Sequence, residues 1–73
     1  MEQILEMLKR EFPYIDFASE KHLMTQGRLD SLAVVSIIAN LEEMFDISVT
    51  MEYIQPENFE SVEAMWAMVE ELQ

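Results

Sequence analysis

The run from Ser31 to Phe45 constrains the fold more than any other stretch. It is fifteen residues without a break, in a chain whose only glycine is Gly27 and whose prolines are Pro13 and Pro56. Val34, Ile37, Ile38, Leu41 and Phe45 recur at i, i+3, i+4, i+7 and i+11, which is one face of an α-helix. Asp30 just before the run is a good N-cap, because its carboxylate can accept from a free N–H of the first turn and suits the positive end of the helix dipole. A helix with so apolar a stripe has to be covered. With 73 residues in all, the cover must come from within one small domain, residues 1–73, with a single core.

Two further helices fit the periodicity. Glu2 to Phe12 places Ile4, Leu5, Leu8 and Phe12 on one side, and Pro13 ends the helix because its ring cannot continue the hydrogen-bond ladder. Ser61 is an N-cap for a last helix in which Val62, Met65, Trp66, Val69 and Leu72 recur at core spacing, with Trp66 the largest apolar side chain available. Tyr14 to Asp30 is long for a connection, so Ile15, Phe17, Leu23 and Leu29 are expected to pack it onto the bundle. Ile47-Ser48-Val49-Thr50 alternates like a strand but has nothing to pair with, and is read as a connector whose Ile47 and Val49 plug the core. Around Pro56 only a single turn near Glu57 to Phe59 is expected, with Ile54 and Phe59 inward.

Composition narrows the classes of function. Fifteen acids against four bases give a formal charge of −11, which repels nucleic acid and anionic membrane surfaces and favours basic protein patches. The same acidity keeps a half-apolar small protein soluble. The chain has no cysteine, hence no disulfide, thiolate metal site or thiol nucleophile. It has no D-x-D-x-D-G calcium loop, and His22, the only histidine, has no partner at metal-ligand spacing. No basic, apolar leader opens the sequence and no run is long enough to span a bilayer, so a cytoplasmic monomer is expected.

Ser31, the first residue of the long helix, admits three readings. It can be an ordinary helix-start residue. As a nucleophile it lacks a base, since there is no G-x-S-x-G elbow and no suitably spaced lysine. As the attachment point of a phosphate-linked group it is well placed, because a helix N-terminus offers free N–H groups and positive potential.

The second helix also has apolar residues off its core stripe. Leu32, Val35 and Ala39 lie roughly 100 to 160° from the stripe's centre, beside Ser36, Glu42, Glu43 and Asp46. Such a face is expected to be a docking surface, with Val35 or Ala39 touching the long loop as the alternative.

Three stretches together carry a family resemblance: Gly27-Arg28-Leu29-Asp30-Ser31-Leu32, Leu41-Glu42-Glu43-Met44-Phe45-Asp46-Ile47, and Pro56-Glu57-Asn58-Phe59-Glu60-Ser61-Val62-Glu63-Ala64. They resemble the acyl carrier protein family over nearly the whole chain. The resemblance implies an all-α fold, a small four-helix bundle of three main helices plus a short third one. It implies that Ser31 carries 4′-phosphopantetheine placed there by a phosphopantetheinyl transferase. The arm would hold acyl or aminoacyl groups as thioesters, and the chain would catalyse nothing itself. A loading ligase and downstream enzymes would dock on Leu32, Val35, Ala39, Glu42 and Glu43. Two departures stand out: Arg28 replaces an apolar residue three positions before the serine, and Ala33 and Ser36 replace acids common in fatty-acid-synthesis carriers. They point to aminoacyl, D-alanyl-like or specialised acyl cargo at least as much as to fatty acids. The rival reading is a small acidic helical interaction module without a prosthetic group.

Overall fold

A computed structural model describes all residues from Met1 to Gln73. It contains three α-helices, α1 (Glu2–Glu11), α2 (Ser31–Phe45) and α3 (Val62–Leu72), and no strands. Between α2 and α3 lie two 3₁₀ turns, Met51–Tyr53 and Pro56–Phe59, where the resemblance implied one short helix. The all-α expectation therefore holds. In place of the short third helix stand two separate turns, because Pro56 has no N–H to donate and begins a new turn after the extended Gln55.

The helix ends follow their capping residues. Asp30 accepts from the Ala33 amide at 2.8 Å and Ser61 from the Ala64 amide at 3.1 Å, both from extended backbone, as their positions in the sequence imply. The C-terminus of α2 closes on Asp46 in the left-handed region at φ 53°, a conformation that Asp tolerates better than most residues.

The core is a single cluster of sixteen buried residues, all apolar. α1 packs against both α2 and α3, and the second 3₁₀ turn packs against α3. Ile4 and Leu8 of α1, Val34, Ile37 and Leu41 of α2, and Val62, Met65 and Val69 of α3 are buried as their spacing predicts. So are Ile15, Phe17, Leu23 and Leu29, which dock the long loop, and Val49 after α2. The Phe12 and Phe17 rings meet edge-on with centroids 6.1 Å apart, turning the chain back after α1.

Several side chains depart from the expected pattern. Met7 is buried, while Leu5, Phe12, Ile38, Phe45, Ile47, Trp66 and Leu72 are only partly so. Trp66 lies to one side of the Met65–Val69 stripe against Phe45, with ring centroids 5.9 Å apart. It therefore bridges α2 and α3 at the edge of the core rather than filling its centre. Ile54, expected inward, is 43% exposed at the break between the two 3₁₀ turns, whereas Phe59 is buried in the core.

Candidate functional site

The segment leading to Ser31 is built from turns. The Gln26 amide donates to the His22 carbonyl at 2.8 Å, and Gly27 to Met24 at 3.1 Å. Gly27 has φ 72° with nothing within 4 Å of where a Cβ would stand, so backbone conformation, not space, is what calls for glycine here. Arg28 and Leu29 then both donate to the Leu23 carbonyl, at 2.8 and 3.3 Å, and Leu29 is buried. The chain emerges at Asp30 already fixed in direction.

Ser31 is exposed at the first position of α2. Asp30 satisfies the Ala33 amide with its carboxylate and the Val34 amide with its carbonyl, at 2.8 and 3.0 Å. The amides of Ser31 and Leu32 have no acceptor within the protein, as expected for the first turn of a helix.

Two depressions flank this ridge. On one side Ser31 lines an apolar cleft of about 280 Å³ together with Met24, Val34, Val35, Ile38, Ile54, Gln55, Pro56 and Phe59, among which there is no titratable side chain. On the other side Asp30, Leu32, Ala33 and Ser36 share a groove of about 320 Å³ with Glu11, Phe12, Tyr14 and Arg28. The Arg28 Nε lies 3.9 Å from a Glu20 carboxylate oxygen. Its charge is thus shared with an acid, on the side of the ridge away from the apolar cleft.

The off-stripe face of α2 is open. Leu32 is 81% and Val35 63% exposed, and Ala39 is exposed with them. Glu43 and Asp46 are exposed, but Glu42 is half-buried and accepts from the Val49 amide at 2.8 Å. Among the acids named for docking, Glu42 therefore also has a structural task, holding the 47–49 connector against the end of α2. Val35 lines the cleft together with Met24 of the long loop, and Ile38, assigned to the core stripe, lines the same cleft.

Sequence reasoning missed the cleft, the exposed Ile54 that lines it, and Glu60. Glu60 accepts from the Met24 amide at 2.8 Å, from the Thr25 amide at 3.0 Å and from the Thr25 hydroxyl. The Thr25 hydroxyl, and then the Thr25 amide, hold its pKa below the ordinary carboxylate value. Lys21, 2.6 Å from Glu63, lowers the Glu63 pKa in the same way. Glu60 sits between a core phenylalanine and a helix cap, a position where local periodicity carries no signal for a contact 35 residues away.

His22 is exposed, and no group of three metal-ligating side chains is present. No helix is long and apolar enough to cross a membrane. No protein-family model matches the chain, and neither the curated proteins nor the solved structures yield a significant match.

Proposed function

We propose that the chain is a carrier protein whose Ser31 hydroxyl is esterified with 4′-phosphopantetheine by a phosphopantetheinyl transferase. The observation that carries this reading is the setting of Ser31: an exposed hydroxyl on the first turn of a fifteen-residue helix, beside two unpaired amides and an apolar cleft. The free Ser31 and Leu32 amides suit the phosphodiester, whose charge the helix N-terminus favours. The cleft suits an apolar cargo better than it suits catalysis, since its lining offers no general base to activate the serine.

When attached, the group supplies a thiol on which acyl or aminoacyl units travel as thioesters. The chain's own part is to fix the serine at the head of α2, present a face to partners, and raise the effective concentration of cargo at each partner's active site. Leu32, Val35 and Ala39 would form the desolvated centre of that face, with Glu43, Asp46 and the outer edge of Glu42 attracting basic partners.

Intact mass after incubation with coenzyme A and a broad-range transferase tests the reading. The expected result is a gain of one phosphopantetheine, lost in Ser31→Ala. An unmodified wild-type chain would favour the alternative, an acidic helical interaction module that uses the same exposed face without a prosthetic group, whereas modification mapped to Ser36, Ser48 or Ser61 would overturn the assignment of Ser31.

A further inference from the structure

We propose that Glu60 is a positioning residue for Ser31: it fixes the turn from which the serine is delivered. The proposal rests on the reading of Ser31 as an attachment site and adds to it a residue from the far end of the chain. Glu60 takes four hydrogen bonds from three consecutive residues. Its carbonyl accepts from the Leu23 amide at 2.9 Å, one carboxylate oxygen accepts from the Met24 and Thr25 amides, and the other accepts from the Thr25 hydroxyl. Hydrogen bonds to an ionised acceptor are roughly twice as strong as neutral ones. Further along, this loop is tied to α3 by Lys21 and Glu63, a pair about half exposed on both sides and of the kind that contributes little.

The tie reaches Ser31 in two links. Glu60 holds Leu23, whose carbonyl accepts from the amides of Arg28 and Leu29, and Leu29 is followed directly by the Asp30 cap and Ser31. The same residue sets the width of the cleft. Met24, held through its amide, and Phe59, the chain neighbour of Glu60, both line the cleft that Ser31 borders. Glu60 itself is held by a rigid frame, since Phe59 is buried and Ser61 caps α3. Loss of the carboxylate should leave the core and the face of α2 unchanged while the loop before Ser31 loosens.

The test compares the wild-type chain with Glu60→Ala, Glu60→Gln and Glu60→Asp by transferase kinetics and by amide hydrogen exchange at residues 23–31. Glu60→Ala should lower kcat for loading about ten-fold or more, with KM for the carrier little changed because docking surfaces are untouched. Exchange at residues 23–29 should quicken by a similar factor. Glu60→Gln keeps an oxygen for the Met24 and Thr25 amides and should restore most of both. If Glu60→Ala does not fold, Glu60→Asp decides, since its shorter reach should also lower kcat and speed exchange. A folded Ala or Asp variant with unchanged kcat, or with a change in KM alone, overturns the proposal. If the wild-type chain is not loaded at all, the attachment reading fails separately. Exchange then decides on Glu60, and unchanged rates in the variants overturn its positioning role.

Discussion

Single residues in this chain do their work chiefly as backbone acceptors. Glu20 accepts from the Lys21 and His22 amides at 3.1 and 3.0 Å, Glu42 from Val49, and Glu60 from Met24 and Thr25. An acid-rich chain can thus satisfy irregular segments that no ladder reaches. Replacing Glu42 with Ala should cost about 1–2 kcal/mol by leaving the Val49 amide without its acceptor. Glu43→Ala should cost almost nothing, and urea melts of the two variants check the contrast. Asp46 offers the opposite sign. It places a negative charge at the negative end of α2 while holding a left-handed backbone. Asp46→Asn keeps the side-chain shape and the tolerance of that backbone, and should raise stability by about 0.3–1 kcal/mol, an effect that added salt should diminish. Ser31→Ala should leave melting nearly unchanged, since the hydroxyl is exposed and alanine is a good helix former.

At the scale of elements, α2 has three kinds of surface rather than two. Ile37 and Leu41 are fully buried, Val35 and Ile38 border the cleft, and Leu32, Ala39 and Glu43 face outward. Ile37→Asp should therefore unfold the domain by burying an unpaired charge, whereas Val35→Asp should fold and weaken association with a transferase or ligase. Circular dichroism with a binding titration separates the outcomes, and an unfolded Val35→Asp variant would show that this side of α2 is structural. On α3, Met65 is fully buried and Trp66 only partly, so Met65→Ala should be at least as harmful as Trp66→Ala. About 2–4 kcal/mol is expected for the methionine and about 2 kcal/mol for the tryptophan, below the usual range for a buried ring.

For the whole molecule, charge and pH pull against each other. A formal charge of −11 on 73 residues favours expansion, so moderate salt at neutral pH should raise the melting temperature by screening. Acid relieves this repulsion but removes bonds that need carboxylates. Asp16, through the Ser19 hydroxyl at 2.6 Å, Glu60, through Thr25, and Glu63, through Lys21, all have pKa values below their ordinary ones. A pKa lowered by folding contributes stability that is present above the unfolded value, near 4 to 4.5, and is lost as pH falls through the folded one. Melting temperature should therefore hold down to about pH 5 and drop below about pH 4. In Glu60→Gln that drop should be shallower, because the glutamine does not titrate. Parallel thermal melts of the two proteins across this range provide the check.

Much of this was legible in the order of residues. Asp30 and Ser61 declared their helices because a cap is a contact within three residues, and Ile4, Leu8, Ile37, Leu41 and Val69 declared the core because burial on a helix repeats with its turn. Gly27-Arg28-Leu29-Asp30-Ser31-Leu32 marked Ser31 as a helix start for the same local reason, and as a candidate attachment point only through the family resemblance. What tertiary structure alone decided were relations between distant segments. Trp66 meets Phe45 at the edge of the core, and Ile54 is exposed at the break between two 3₁₀ turns. The apolar cleft exists only because Met24, Ser31, Val35, Pro56 and Phe59 converge from three parts of the chain. Glu60 finds Met24 and Thr25 across 36 and 35 residues. Periodicity describes which side of an element is apolar. Which neighbour meets that side, and which carboxylate finds a free amide in a loop, is set by packing in three dimensions.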